Sequence, residues 1–226
     1  MKTNLLTFIY FIIGTLFLIF ENNPSYIPAF TLKIVMIPVL AAIFVINLRT
    51  GLDSLHKLIL AGLFFSWAGD GLLEIPNQTA DLFIPGLISF LLAHIMYLLA
   101  FFLTIGENFI NKRGLGLLIP VSLFGAGIIF YLYNDLGDMM IPVTIYTVVI
   151  LTMVTGAINR LKKVNVVSFW LVLAGAILFL ISDSALAINK FGHPFPGSSI
   201  VIMSTYLLAQ YFIVTGYIRQ FRSELK

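Results

Sequence analysis

Two aspartates lie within long apolar stretches of the chain, and they are the residues best placed to do chemistry. Asp70 lies in the segment LAGLFFSWAGDGLLE, and Asp183 lies in the segment LAGAILFLISDSALA. Each aspartate follows a Leu-Ala-Gly tripeptide, eight positions after its glycine. A carboxylate at the centre of a membrane helix costs about 2.5–3.5 kcal/mol on insertion scales, so such a residue is a functional candidate by default. Two of them in matching positions predict a site with two acidic groups.

The composition of the 226 residues indicates a polytopic membrane protein. Hydrophobic residues make up 60% of the chain and charged residues only 10%, whereas soluble domains are about 45–50% apolar and about 25% charged. The chain has no cysteine, which excludes disulfides, thiolate metal sites and a cysteine nucleophile. The net charge of +3 is small. Because the basic residues fall in loops, they indicate membrane topology, and no nucleic-acid partner is expected.

Apolar runs of about 17–25 residues predict transmembrane helices, and the sequence contains eight such runs. The first run follows Lys2, and we expect a retained helix because no small-residue cleavage site of a signal peptide follows it. Turn-forming residues separate the runs, among them those at 22–24, 75–77, 134–137 and 192–197. The predicted helices span residues 4–21, 29–48, 56–75, 83–105, 114–133, 140–159, 166–190 and 198–219.

The basic residues predict how these helices are oriented. All but two of the 13 basic residues fall on one side of the predicted membrane, whereas the other side carries mainly acidic residues. Because Lys and Arg concentrate in cytoplasmic loops, both termini are expected in the cytoplasm. We expect the membrane to be the inner (plasma) membrane of a bacterium. The residues on the cytoplasmic side are Lys2, Arg49, Lys57, Lys112, Arg113, Arg160, Lys162, Lys163, Arg219, Arg222 and Lys226.

A four-helix unit is predicted to occur twice. Besides the two Leu-Ala-Gly segments, the Leu-Leu-Ala-His of 91–94 matches the Leu-Leu-Ala-Gln of 207–210. These matches pair helix 3 with helix 7, and helix 4 with helix 8. A unit of four crossings gives two copies with the same orientation, related by an axis along the membrane normal. The expected fold is all-α, with one transmembrane domain over 1–226 built from two parallel four-helix repeats at about 1–110 and 111–226.

Further polar residues are predicted to join the two aspartates in one pocket. At a rise of about 1.5 Å per residue, the aspartates and Lys33 lie about 6–12 Å below the outer helix ends. The sequence therefore predicts a polar pocket in the outer half of the bilayer, with few comparable groups in the inner half. Snorkelling and hydrogen bonds between helices are the alternative roles for such residues. The candidate substrate-binding residues are Lys33, Ser66, Glu74, His94, Tyr97, Lys190, Tyr206 and Gln210.

Two carboxyl groups in one pocket of low dielectric constant predict acid/base catalysis. They repel each other when both are ionised, so one is expected to hold a proton while the other acts as a base. Asp183 is the deeper of the two and is the expected acid, with Asp70 the expected base. The chain has no cofactor fingerprint, and its three histidines lie on different segments. Neither a cofactor nor a metal is therefore expected.

Four short blocks of sequence resemble those of a known family. They are FSWAGD around Asp70, LLAHIMY around His94, LISDS around Asp183 and STYLLAQ around Gln210. In this order and spacing they resemble the YhhN-like lysoplasmalogenases, which are multipass membrane proteins of bacteria and animals. The resemblance implies hydrolysis of the vinyl-ether bond of lysoplasmalogens, a class of lysophospholipid. The implied products are a fatty aldehyde and glycerophosphoethanolamine or glycerophosphocholine.

Two other functions are consistent with the same residues. Parallel repeats and carboxylates within the membrane also suit a proton-coupled transporter of lipids or small molecules. A non-catalytic lipid-binding protein is the second alternative, in which the aspartates only form hydrogen bonds across the repeat interface. A transporter needs polar groups in both halves of the membrane, so their predicted concentration in the outer half favours the enzyme.

Overall fold

The computed structural model describes residues 2–21, 26–48, 51–74, 82–105 and 112–224. Within these ranges it contains eight α-helices and a short 3-10 turn, and no strand, which confirms the predicted all-α class. Each predicted helix is present, and no helix end differs from its prediction by more than five residues. The helices are α1 (Lys2–Phe20), α2 (Tyr26–Ile46), α3 (Ser54–Glu74), α4 (Phe83–Ile105), α5 (Lys112–Leu132), α6 (Met140–Asn159), α7 (Val166–Phe191) and α8 (Ser198–Glu224).

Two of the predicted turns contain glycines in the left-handed region of backbone conformation. Gly137, between α5 and α6, has a φ of 47°, and Gly197, between α7 and α8, has a φ of 76°. Glycine adopts these angles at low cost because it has no Cβ. The other two predicted turns, at 22–24 and 75–77, lie outside the described residues. The same is true of two basic residues used to predict the orientation, Arg49 and Lys226.

Six of the helices, judged over the described residues, are long and apolar enough to cross a membrane: α1, α2, α4, α6, α7 and α8. The exceptions have identifiable causes. Helix α3 carries four titratable side chains in 21 residues, and the described apolar part of α5 is only Ile119–Leu132. Large apolar side chains are exposed on the helices, including Phe130 at 85% and Ile141 at 71%. Such surfaces suit lipid rather than water, and the chain is a multipass membrane protein.

Contacts between residues divide the chain into two compact units, Met1–Tyr97 and Leu98–Lys226. In the first unit α1 packs on α2 and α2 packs on α3. Helix α3 also contacts α4, where the Ser89 hydroxyl donates to the Phe65 carbonyl oxygen at 2.7 Å. In the second unit α5 packs on α6, α6 on α7 and α7 on α8, and the α7–α8 interface is the most extensive. Each aspartate of interest therefore lies in a unit with its own helix packing.

The glycine of each Leu-Ala-Gly tripeptide lies at a close contact between helices. A methyl group on Gly62 would lie 2.5 Å from the Tyr97 ring of α4. A methyl group on Gly175 would lie 2.8 Å from the Ala209 carbonyl oxygen and 2.8 Å from the Ile213 side chain, both on α8. Small residues allow membrane helices to approach this closely. The tripeptide thus has a packing role in both units.

Arg160 ties four helix ends together in the second unit. It follows α6 directly and is 0% exposed. Its guanidinium donates to Thr104 Oγ1 at 3.2 Å, to Ser168 Oγ at 3.0 Å and to Gln220 Oε1 at 2.7 Å, on α4, α7 and α8. Its Cζ lies 4.7 Å from the centroid of the Tyr217 ring, a geometry that stabilises a cation. From the sequence, Arg160 was expected in a cytoplasmic loop, and few polar groups were expected inside the helices near it. Arg160 is instead buried with three polar side chains, so that expectation is wrong.

We predict that Gly175→Ala destabilises the protein by about 1–3 kcal/mol, because the added methyl group forces the α7 and α8 backbones apart. The measurement is the thermal unfolding midpoint of the purified protein in detergent, which should fall by several degrees. Gly127→Ala in α5 is the matched control, because a methyl group there meets nothing within 4 Å. Equal midpoints for the two variants would contradict the close-contact role of Gly175.

Candidate functional site

Lys33 forms an ion pair with Glu74 in the first unit. Its Nζ donates to Glu74 Oε2 at 2.7 Å, and the two side chains are only 12% and 21% exposed. Asp70, which is 2% exposed, and Glu21 attract the same ammonium group. The Lys33 ammonium is therefore paired with one carboxylate and attracted by two others. The structure brings together Lys33, Asp70 and Glu74, three of the residues that the sequence selects.

A proline in α2 determines how α3 is attached beside this cluster. Pro38 has no N–H, so the Ile34 carbonyl four residues earlier lacks its usual helical donor. The Trp67 indole N–H donates to that carbonyl oxygen at 2.9 Å. Ile34 follows Lys33 in sequence, and Trp67 lies three residues before Asp70. The bond therefore joins α2 and α3 next to the residues that carry the charges.

Asp183 accepts a hydrogen bond from Tyr146 in the second unit. The Tyr146 hydroxyl lies 2.5 Å from Asp183 Oδ2, and Tyr146 is only 9% exposed. Helix α6 supplies the tyrosine and α7 supplies the aspartate. The sequence reasoning missed Tyr146, because an isolated tyrosine in an apolar run carries no signal of its own. Its distance from Asp183 in the sequence is the signal that could have found it, because Lys33 lies the same number of residues before Asp70.

Each aspartate interacts with a polar residue at the same separation in sequence. Asp183 accepts a hydrogen bond from Tyr146, whereas Asp70 attracts the charge of Lys33, whose hydrogen bond goes to Glu74. Tyr146 precedes Asp183 by 37 residues, and Lys33 precedes Asp70 by the same number, since 70 minus 33 is 37. In both cases the partner lies on the preceding helix, and that helix packs on the helix of the aspartate. The partners differ in charge, because one is an ammonium and the other a neutral phenol. The two carboxyl groups are therefore in different electrostatic environments.

Most of the other candidate residues are buried. Tyr206 contacts the Phe179 ring edge-on, with 5.5 Å between the ring centroids. Lys190 is exposed near the end of α7. The substrate-binding roles proposed from the sequence stay predictions for all of these residues. The buried candidates are Ser66, His94 and Tyr97 in the first unit and Tyr206 and Gln210 in the second.

The groups gathered in the two units are suited to proton transfer and to binding charged groups. They are the carboxyl groups of Asp70, Glu74 and Asp183, the ammonium of Lys33 and the phenol of Tyr146, and carboxyl groups commonly act as general acids and bases. In the described ranges no group of three or more His, Asp or Glu side chains is arranged to hold a metal ion.

The sequence matches the model of the YhhN family over residues 29–217. The chain belongs to the YhhN family. The matched range contains Lys33, Asp70, Tyr146 and Asp183, so both aspartates and their partners lie in the part shared with the YhhN family. No solved structure gives a significant match.

Similar proteins of this family come from mammals and from bacteria. The chain is 35% identical over 161 residues to lysoplasmalogenase TMEM86A of Bos taurus, covering 69% of this chain and 62% of that protein. It is 29% identical over 196 residues to lysoplasmalogenase TMEM86B of Sus scrofa, covering 85% and 76%. It is 30% identical over 166 residues to a lysoplasmalogenase of Mycobacterium bovis, covering 72% and 60%. The matched segment thus spans about three fifths of the bovine and mycobacterial relatives.

We predict that Trp67→Phe lowers the unfolding midpoint, because the Ile34 carbonyl is left without a donor at a cost of about 1–3 kcal/mol. In a Pro38→Ala background the restored N–H can serve that carbonyl, so the same substitution should have a much smaller effect. Trp170→Phe, at a position that is 61% exposed, is the control for loss of an indole. Equal effects of Trp67→Phe in the two backgrounds would show that the bond is not coupled to Pro38.

Proposed function

We propose that this YhhN-family chain hydrolyses the vinyl-ether bond of lysoplasmalogens, releasing a fatty aldehyde and glycerophosphoethanolamine or glycerophosphocholine. The observation that carries the proposal is the pair of aspartates in apolar helices, one bonded to the Tyr146 hydroxyl and the other close enough to the Lys33 ammonium to attract its charge. Relatives that are 29–35% identical are named lysoplasmalogenases, which supports the same reaction here. Cleavage of a vinyl ether needs an acid and a base, and carboxyl groups can serve as both.

The proposed reaction begins with proton transfer to carbon. Asp183 in its acid form donates a proton to the outer vinyl carbon, and the electrons of the double bond form the new C–H bond. Water then attacks the resulting oxocarbenium ion at the ether carbon and releases a proton to the Asp70 carboxylate. The hemiacetal expels the glycerol oxygen as an alcohol and becomes an aldehyde. One water is consumed, and proton return from Asp70 to Asp183 through solvent restores the enzyme.

The partners of the two aspartates support this division of roles. The Lys33 ammonium attracts Asp70, and a nearby positive charge favours the ionised form that a base requires. Asp183 accepts a hydrogen bond from the neutral hydroxyl of Tyr146. A neutral donor compensates less of the cost of a charge in an apolar environment than an ammonium does. Asp183 is therefore the better candidate to carry a proton.

We also propose the membrane arrangement that the sequence predicts. The chain would cross a bacterial inner membrane eight times as one domain of two parallel four-helix repeats, with both termini in the cytoplasm and the aspartates in the outer half. The eight helices support this, as do the contacts of the two tripeptide glycines. Gly62 meets Tyr97 and Gly175 meets Ile213, and each contacted residue lies three positions after the matched His94 or Gln210.

A proton-coupled transporter is the second candidate, and one observation favours it. Arg160 and its buried polar partners lie at the opposite end of α7 from Asp183, because Ser168 is 15 residues, or about 22 Å, away along the helix. Polar groups at both ends of a unit are what a transport path needs. The guanidinium is, however, bonded to three side chains of neighbouring helices, which suits a structural tie. Aldehyde release by the purified protein separates the two functions.

We predict that Asp70→Asn and Asp183→Asn each lower kcat for aldehyde release by about 10²–10⁴-fold, the usual contribution of a general acid or base. The measurement is aldehyde formation from a lysoplasmalogen by purified protein, with the unfolding midpoint as a check of folding. Asp138→Asn, in the exposed 3-10 turn, is the control and should retain full activity. Full turnover by either site variant would refute the proposed roles.

We predict that Tyr146→Phe lowers kcat by about 10–100-fold with little change in KM. The reason is that a hydrogen bond to a charged group is worth about 1.5–3 kcal/mol, and Asp183 becomes charged only when it has given up its proton. Tyr133→Phe, at a position that is 64% exposed, is the matched control. A change confined to KM would indicate that Tyr146 contributes to substrate binding instead.

A further inference from the structure

An apolar groove lies between α2 and α3 in the first unit. Its volume is about 220 Å³. The polar N–H of its one tryptophan is already bonded to the Ile34 carbonyl, so the walls offer only apolar surface. Phe64, on one wall, is 57% exposed, which leaves the groove open on that side. The residues that line it are Ile37, Pro38, Ala41, Leu60, Leu63, Phe64 and Trp67.

The groove continues the helix faces that carry the charged cluster. Residues at intervals of three or four share one face of a helix, and both helices show such a series. Each series is charged at one end and apolar at the other. The ten residues from Asp70 to Leu60 correspond to about 15 Å along the helix. From the charged end, the series are Lys33, Ile37 and Ala41 on α2, and Glu74, Asp70, Trp67, Leu63 and Leu60 on α3.

We propose that this groove holds the hydrocarbon chain of the lipid substrate, with the bond to be cleaved beside Asp70; this rests on the proposed function. In a lysoplasmalogen the hydrocarbon chain begins at the vinyl carbons themselves. A site for the chain must therefore begin next to the catalytic groups. Trp67 meets this requirement, because it lines the groove and lies one helical turn from Asp70.

The charged end of the groove matches the other end of the same lipid. Ethanolamine and choline head groups carry one positive and one negative charge. The cluster offers the Lys33 ammonium to the phosphate, and the Glu74 and Glu21 carboxylates to the head-group ammonium. The order of charged and apolar surface along α2 and α3 is thus the order of head and chain in a single-chain phospholipid.

A chain-length series tests the proposal through activity. Ala41→Phe fills the deep end of the groove and leaves the charged cluster in place. We expect kcat/KM for a long-chain lysoplasmalogen to fall at least tenfold relative to a short-chain one, because each methylene in an apolar pocket contributes substantially to discrimination. Val35→Phe, on α2 outside the groove and 41% exposed, should leave the ratio unchanged. An unchanged ratio in folded, active Ala41→Phe overturns the proposal.

Fluorescence quenching tests the groove without any need for activity. The chain has two tryptophans, so Trp170→Phe leaves Trp67 as the sole emitter. In bilayer nanodiscs, a lysophosphatidylcholine brominated on its acyl chain should quench Trp67 in a saturable way, and several-fold more weakly when Ala41→Phe is added. Saturable quenching without aldehyde release would refute the proposed function but would still support binding of a lipid chain in the groove. Quenching that does not saturate, or that Ala41→Phe does not alter, means that bulk lipid fills the groove and overturns the proposal.

Discussion

The cost of an ionisable side chain among apolar helices is the constraint on which this structure depends. Lys33, Asp183 and Arg160 each interact with a polar side chain of a neighbouring helix. Lys33 attracts Asp70 in the first unit, and Tyr146 donates to Asp183 in the second. Arg160 meets the same constraint through hydroxyl and amide oxygens. The hydrogen bonds and ion pairs that lower the cost of burying these groups also connect neighbouring helices. The same interactions therefore serve helix packing and the candidate site.

The sequence predicts the helices well because their signal is local. The lengths of the apolar runs and the turn-forming residues between them predict all eight described helices. The two aspartates are conspicuous because charged residues are rare in such runs. The partners of these residues depend on how one helix is rotated against the next, which local composition does not reveal. Tyr146 is one example, and the Trp67 indole bound to the Ile34 carbonyl is another. Arg160 shows the opposite failure, because a basic residue after a helix suggests a loop although its side chain is buried.

The first unit combines two surfaces that an amphiphilic molecule would need. Charged groups lie near the end of α3, and an apolar groove follows on the same face. Pro38 lines this groove. It also leaves the Ile34 carbonyl without a helical donor, and the Trp67 indole occupies that carbonyl. The second unit supplies a carboxyl group with a neutral partner. The two aspartates follow the same Leu-Ala-Gly tripeptide, but one has a charged neighbour and the other a neutral one.

Solvent deuterium incorporation tests the central claim most directly. The purified protein would hydrolyse a lysoplasmalogen in D₂O, the aldehyde would be reduced at once to prevent exchange, and the alcohol would be analysed by mass spectrometry. Proton transfer to the outer vinyl carbon predicts one deuterium at carbon 2 of the product. An aldehyde released without deuterium at that carbon would contradict acid-catalysed hydrolysis of the vinyl ether.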